Sequence, residues 1–353
     1  MTFLEGLEQI VFGFKLVVFG YCKNLVVGKQ IASTLAANPH ENFVIIHGRN
    51  KEKCENALAT IISENKLEYE NNVEYISADF SSFKQVSQMA EEVKIRFPRL
   101  NTFISCASVL ISRRSMSVNG LELGFQINHL SHFYLWNALL PLMERNAPAR
   151  IITVGSSLHA MGSIDYEDLM CEKMYDKYLQ YSRTKLMNHM ITFSLHRLLL
   201  QHGLNFSVTA NVVDAEEPAE NHHDVTCLSA SRSYLCSRGN GVHTIQRLAE
   251  APELSHVSGK YFDCTGKEIR SKTEATDERA QQKLWETDEK ICEKLDAPIS
   301  SSSNGSSRGS SGSDLPILHL GSLESARKQQ QQKIVENNNV QKRLHHLHHH
   351  QIA

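Results

Sequence analysis

Hydrophobic positions along the chain fall into short apolar runs separated by longer segments of helical periodicity. The runs at 16–19, 43–46, 73–76, 102–105, 150–154, 207–213 and 260–262 read as strands. Helical patterns over 51–65, 83–96 and 121–145 lie among them. The strand runs are apolar on both faces, which predicts a parallel sheet covered on both sides. Strict alternation of strand and helix predicts a doubly wound, mostly parallel α/β sheet with right-handed crossovers and helices on both faces. Ligands on such sheets bind at the carboxyl ends of the strands, so the residues just after each strand are where chemistry is expected.

The pattern changes near Pro298. From 299 to 313 the chain is almost wholly Ser, Gly, Asn and Arg, and glutamine, asparagine and histidine tracts follow up to His350. Such a segment buries too little apolar surface to offset its ordering entropy. The expected organisation is one domain over 1–298 and a disordered tail over 299–353. The histidines of the tail are read as a low-complexity tract without a specific metal.

Charge and cysteine usage narrow the setting. The formal net charge is -2, which excludes a dominant attraction to nucleic acid or to an acidic membrane. Eight cysteines are scattered without a CxxC pair, as expected for reduced thiols in the cytoplasm and not for a disulfide frame or a zinc site. No apolar run reaches the length of a membrane span. The stretch 10–19 is too short, Lys15 interrupts it, and Glu5 and Glu8 precede it where a secretory leader would be basic. It reads as a buried strand.

One constellation carries chemistry: Tyr181-Ser-Arg-Thr-Lys185, preceded by Ser156-Ser157 at the end of a strand. Four residues of helix put Tyr181 and Lys185 on one face. A tyrosine ionises near pH 10 unaided, and a neighbouring ammonium lowers that value by favouring the phenolate. With a serine hydroxyl to bond a substrate oxygen, the set suits reversible carbonyl/alcohol chemistry in which a cofactor carries the hydride.

At this point the sequence resembles the short-chain dehydrogenases, and within them the branch of retinol dehydrogenases and WW-domain oxidoreductases. The resemblance runs from about Lys15 to Leu295. It rests on Asn128-His-Leu-Ser-His-Phe-Tyr-Leu135, Ala147-Pro-Ala-Arg150, Pro252-Glu-Leu, Ser258-Gly-Lys-Tyr-Phe262, Leu284-Trp285 and the long insertion between Ser157 and Tyr181. No WW domain is expected ahead of a first strand that begins within twenty residues. The resemblance implies a Rossmann-type fold and four catalytic positions. Tyr181 matches the general acid/base, and Lys185 the residue that lowers its pKa and holds the nicotinamide ribose. Ser157 (in preference to Ser156) matches the hydroxyl that orients the substrate oxygen. Asn128 matches the helix residue that supports a water relay to the lysine.

The cofactor signature is altered. Gly20-Tyr-Cys-Lys-Asn-Leu-Val-Val-Gly28 keeps the first and last glycines of the family's phosphate turn but lacks the middle one. After the second strand, Arg49 stands where NAD-selective folds place an acid, which suits the 2′-phosphate of NADP better than NAD. Lys23 adds a second charge, and Asp79 matches the adenine-contacting acid. The family's Asn-Asn-Ala-Gly turn reads Ser105-Cys-Ala107-Ser108, leaving Ala107 as the matching cofactor contact. Its Pro-Gly pair reads Ala215-Glu-Glu-Pro218, which brings negative charge toward the pyrophosphate. The resemblance implies an NADP-dependent oxidoreductase acting on a lipophilic alcohol or carbonyl such as a retinoid, steroid or other lipid. It also implies a homodimer through the helices that carry Asn128 and Tyr181. The altered turns keep a second reading open, that of a catalytically degenerate scaffold.

Overall fold

The computed structural model describes residues 15–19, 26–70, 72–205, 207–215 and 240–296. The tail, Gly20, Lys23 and the segment that would cover a substrate between Glu217 and Gly239 lie outside the described residues. Strands β1 (Lys15–Phe19), β2 (Asn42–Gly48) and β3 (Val73–Ser77) pair in parallel in the order β1-β2-β3. Helices α1 (Val26–Ala36) and α2 (Lys51–Asn65) cross between them, and α3 (Phe83–Arg96) follows. The chain then returns to the other side of β1. There β4 (Thr102–Ser105) lies beside β1. It opens a second ladder with β5 (Ala149–Val154), β6 (Val208–Val213) and β7 (Tyr261–Phe262), all parallel. A short antiparallel β8 (Glu268–Ile269) ends that edge. This is the doubly wound sheet that the alternation predicts, with its switch point between β1 and β4.

Two features differ from expectation for identifiable reasons. Burial on both faces holds for β2, β4, β5 and β6 but not for β3, where Glu74 and Tyr75 are half-buried and Ser77 is exposed. β3 is the outer strand, and Glu74 accepts from Arg96 of α3 at its margin. The helix expected over 121–145 begins late and is not regular. The Glu122 carboxylate accepts from the backbone N–H groups of Gly124 and Phe125 at 2.9 and 2.7 Å and so caps a short α4 (Leu123–Phe125). A π-turn over Gln126–Leu130 follows, and only then α5 (Ser131–Arg145).

The centre is packed by α5 and α6 (Lys177–Gln201), both buried almost all round. Beyond β6 come α7 (Asn240–Glu250), α8 (Thr273–Thr276) and α9 (Glu278–Asp296). Helix α9 lies along α6. Its Leu284, Trp285 and Cys292 are buried, and the Trp285 ring meets Phe133 of α5 edge-on at 4.9 Å. The faces of α5 and α6 turned toward α9 are therefore filled by the chain itself. No helix among the described residues is long and apolar enough to cross a membrane. The described cysteines Cys54, Cys106, Cys171, Cys264 and Cys292 are buried thiols that form no disulfide with one another.

Two interior histidines tie stability to pH. His47 on β2 bonds the Ala78 carbonyl through Nε2 at 2.8 Å, and His132 on α5 bonds the Ala107 carbonyl likewise at 2.8 Å. A carbonyl only accepts, so each Nε2 carries the proton. Each Nδ1 is then a bare buried acceptor. Burial pulls His47 down to about 4 and His132 to about 3, partly offset by the carbonyl bonds. A histidine depressed in the folded state keeps its stabilising effect above the unfolded value of about 6.5, and loses it as pH falls from there toward the folded value. The free energy of unfolding should fall by roughly 2–4 kcal/mol between pH 6.5 and 5, at about 1.4 kcal/mol per pH unit for each imidazole. Urea midpoints across that interval test this. A flat profile would mean that these imidazoles do not resist protonation.

Candidate active site

Helix α6 packs against β5 and β6. Ser156 ends the turn after β5 and caps a 3-10 turn (Ser157–Met161), its hydroxyl accepting from the Leu158 N–H at 3.3 Å. That bond occupies the buried Ser156 and leaves the half-buried Ser157 as the more open hydroxyl. The 3-10 turn packs against α6. It comes close because Gly162 has no side chain: a Cβ there would stand 2.6 Å from the Ser182 carbonyl, one residue after Tyr181.

Tyr181 and Lys185 lie one turn apart on α6, as their spacing predicts. Lys185 is 3% exposed. Its ammonium donates to the carbonyl of Val154, the last residue of β5, at 3.0 Å and lies 5.6 Å from the centre of the Tyr181 ring. An ammonium has three protons, so one anchors it to the sheet and two remain to serve a ligand. The half-buried Tyr181 carries the exposed edge of the pair.

Asn128 sits in the π-turn, 1% exposed. Its amide clamps Val109 on the loop after β4 from both sides. Oδ1 accepts from the Val109 N–H at 2.7 Å, and Nδ2 donates to the Val109 carbonyl at 2.9 Å. Nδ2 also donates to Thr184 Oγ1 at 3.2 Å, beside Lys185. Asn128 thus ties the β4 loop to the helix of Tyr181 and Lys185. The same loop is fixed at two further points. Trp136 Nε1 donates to Ser105 Oγ at 2.7 Å, and His132 holds the Ala107 carbonyl. The serines that replace asparagine and glycine here belong to an ordered wall.

Of the expected cofactor residues, Gly28 is the third residue of α1, half-buried. Arg49 is exposed immediately after β2, next to Asn50, which caps α2 through the Lys53 N–H. Among the described residues no carboxylate pairs with it. Asp79, after β3, is half-buried, and its carboxylate accepts from the Ser81 N–H at 2.9 Å in an Asx-turn. The helix cap itself falls at Ser82, whose side chain makes no capping bond.

Several groups near the site were not singled out by their residue types. His159 and His189 stack with ring centres 3.9 Å apart and share the Ser271 hydroxyl, at 3.0 and 2.9 Å. They lie behind the Ser156–Ser157 turn, since His159 Nδ1 donates to the Ser156 carbonyl at 2.8 Å. His189, like Lys185, continues the four-residue row begun by Tyr181, and that row is the signal that could have found it. Asn188, His129 and Asp288 form a further buried set.

The fold and the Tyr181–Lys185 arrangement can be set beside those of known proteins. The short chain dehydrogenase family matches residues 17–215, more than half of the chain, and the chain belongs to that family. Within it, similarity runs to the retinol dehydrogenases and the WW domain-containing oxidoreductases. Retinol dehydrogenase 14 of Mus musculus is 36% identical over 221 residues, 60% of this chain and 64% of that protein. The WW domain-containing oxidoreductase of Pongo abelii is 31% identical over 304 residues, 82% of this chain and 71% of that protein. Retinol dehydrogenase 13 of Homo sapiens is 31% identical over 270 residues, 74% and 80% of the two chains. The chain thus spans just under two thirds of the length of retinol dehydrogenase 14. Among solved structures, a protein from Mycobacterium paratuberculosis superposes with a TM-score of 0.60 at 23% identity, covering 79% of this chain and 93% of that one. A short chain dehydrogenase from Escherichia coli CFT073, complexed with NADPH, gives 0.52 at 18% identity, covering 71% and 96%.

Proposed function

We propose that the chain is an NADP(H)-dependent oxidoreductase that interconverts an alcohol and a carbonyl on a lipophilic substrate of retinoid, steroid or lipid type. The observation that carries this reading is the buried Lys185, anchored to the end of β5 and held one helical turn from Tyr181. The donor set fits the cofactor. Arg49 offers an exposed guanidinium to a 2′-phosphate, and Asp79 and Ala107 follow β3 and β4, where the family holds the rest of the cofactor. Lys185 keeps two N–H groups for ribose hydroxyls. Bound NADP(H) supplies or accepts the hydride. Tyr181 passes a proton to or from the substrate oxygen, and the Lys185 ammonium stabilises the tyrosinate left behind. The Ser157 hydroxyl bonds the same oxygen and orients it. Asn128 keeps the β4 loop and the Thr184–Lys185 step in register. The substrate class rests on the retinol dehydrogenases to which the chain is similar.

A homodimer, where two copies pair, would use a face other than the one α9 covers. The competing reading, a scaffold without catalysis, is favoured by the glycine-poor turn between Gly20 and Gly28. Titration with NADPH, followed by nicotinamide fluorescence, separates the two. Saturable binding at micromolar concentration is expected. Absence of binding at millimolar concentration would sink the enzyme reading.

A further inference from the structure

The Asn128 carbonyl accepts from Asn188 Nδ2 of α6 at 2.8 Å. Asn188 Oδ1 meets His129 Nδ1 at 3.1 Å, and His129 Nε2 meets Asp288 Oδ2 of α9 at 2.8 Å. His129 and Asp288 are fully buried, and Asn188 is 3% exposed. From these contacts we propose that Asp288, His129 and Asn188 are positioning residues: a hydrogen-bonded chain from α9 fixes Asn128, and through it the Val109 loop and the Thr184–Lys185 step. Seating of α9 is then a condition for a competent site. The inference builds on the catalytic reading above, but its geometry stands without it.

The polarity of the chain follows from one fact. A backbone carbonyl only accepts, so Asn188 must turn its amide nitrogen to Asn128 and its oxygen to His129. Nδ1 of His129 must therefore donate. One proton is left for the Nε2···Oδ2 bond, carried by the ring or by the carboxyl, and the pair is neutral overall in either arrangement. Burial raises the Asp288 carboxyl above the usual range, and the neighbouring imidazole works against that rise. Its second oxygen, Oδ1, is buried without a hydrogen bond. A half-satisfied buried carboxyl is a poor source of stability, since an apolar side chain of similar volume often does as well or better. What the pair does provide is direction: it orients Asn188, which orients Asn128.

Hydrogen exchange at the Val109 amide, on the full chain without cofactor, reads the far end of this chain. Asp288→Ala should speed exchange at Val109 by about tenfold, the scale of one hydrogen bond, with little change at Ile152 in the centre of β5. Asp288→Asn should restore protection, because its amide can donate to Nε2 of a neutral ring that keeps Nδ1–H. Unchanged exchange at Val109 in Asp288→Ala would overturn the proposal. So would equal acceleration at Val109 and Ile152, which would make Asp288 a contributor to global stability alone. Should Asp288→Ala not fold, the imidazole nitrogen shifts of His129 in the unaltered protein decide the matter. A protonated Nδ1 is expected, and a deprotonated Nδ1 would break the chain's polarity. Neither readout needs turnover, so loss of the catalytic reading would be seen separately.

Discussion

Tyr181→Phe is expected to lower turnover by roughly 10²–10⁴-fold, the usual contribution of a general acid or base, while leaving NADPH affinity nearly unchanged. The substitution removes one hydroxyl and keeps the ring that packs beside the Lys185 ammonium, 5.6 Å away. Lys185→Ala should differ by losing both rate and affinity. That ammonium is anchored to Val154 by one proton, so its other two are free to hold the ribose while its charge supports the tyrosinate. The measurement is steady-state NADPH oxidation against retinals, ketosteroids and medium-chain aldehydes, with direct cofactor titration beside it. A lysine variant that binds NADPH as tightly as the parent would remove Lys185 from the cofactor site. A tyrosine variant with full turnover would remove Tyr181 from the proton transfer.

That pair was legible because a helix turns spacing into geometry: four residues place two side chains on one face whatever the rest of the fold does. The interior strands were legible for a similar reason, since residues covered on both sides must be apolar on both sides. β4 at 102–105 and the helices at 51–65 and 83–96 fall where their patterns put them. What periodicity cannot give is a partner distant in sequence. Asp288 reads as one more charge on an amphipathic helix, and only the fold brings it to His129, 159 residues away. The Asn128 clamp on Val109 and the His159–His189 stack are hidden for the same reason. The π-turn is hidden for another. Its extra residue leaves the apolar pattern nearly intact, and the bond that accompanies it, from Ser131 Oγ to the Gln126 carbonyl, is a side-chain contact that periodicity does not report. The polar residues of Asn128-His-Leu-Ser-His pointed to this region. The separate tasks of its histidines, one holding Ala107 and the other meeting Asp288, emerge only from packing.

Arg49→Asp should weaken NADPH binding far more than NADH binding. Arg49 is exposed at the end of β2, where among the described residues no carboxylate pairs with it, and the neighbouring Asn50 caps the following helix. Its replacement therefore leaves the fold intact and changes one thing, the sign of the charge facing the adenosine ribose. A hydrogen bond to a charged group contributes about 1.5–3 kcal/mol, so the expected loss in NADPH affinity is roughly ten- to a hundredfold. Exposure puts the value toward the lower end, because water and salt screen a surface contact. The same screening supplies an internal check. The gap between NADPH and NADH affinities in the parent should narrow as ionic strength rises, whereas the aspartate variant should bind NADPH better at high salt than at low. NADH lacks the 2′-phosphate, and an aspartate at this position can accept from its ribose hydroxyls, so its affinity should hold or improve. Titration of both cofactors into both proteins at two salt concentrations tests all of this. Equal losses for NADPH and NADH would mean that Arg49 does not touch the 2′-phosphate and that cofactor choice is decided elsewhere.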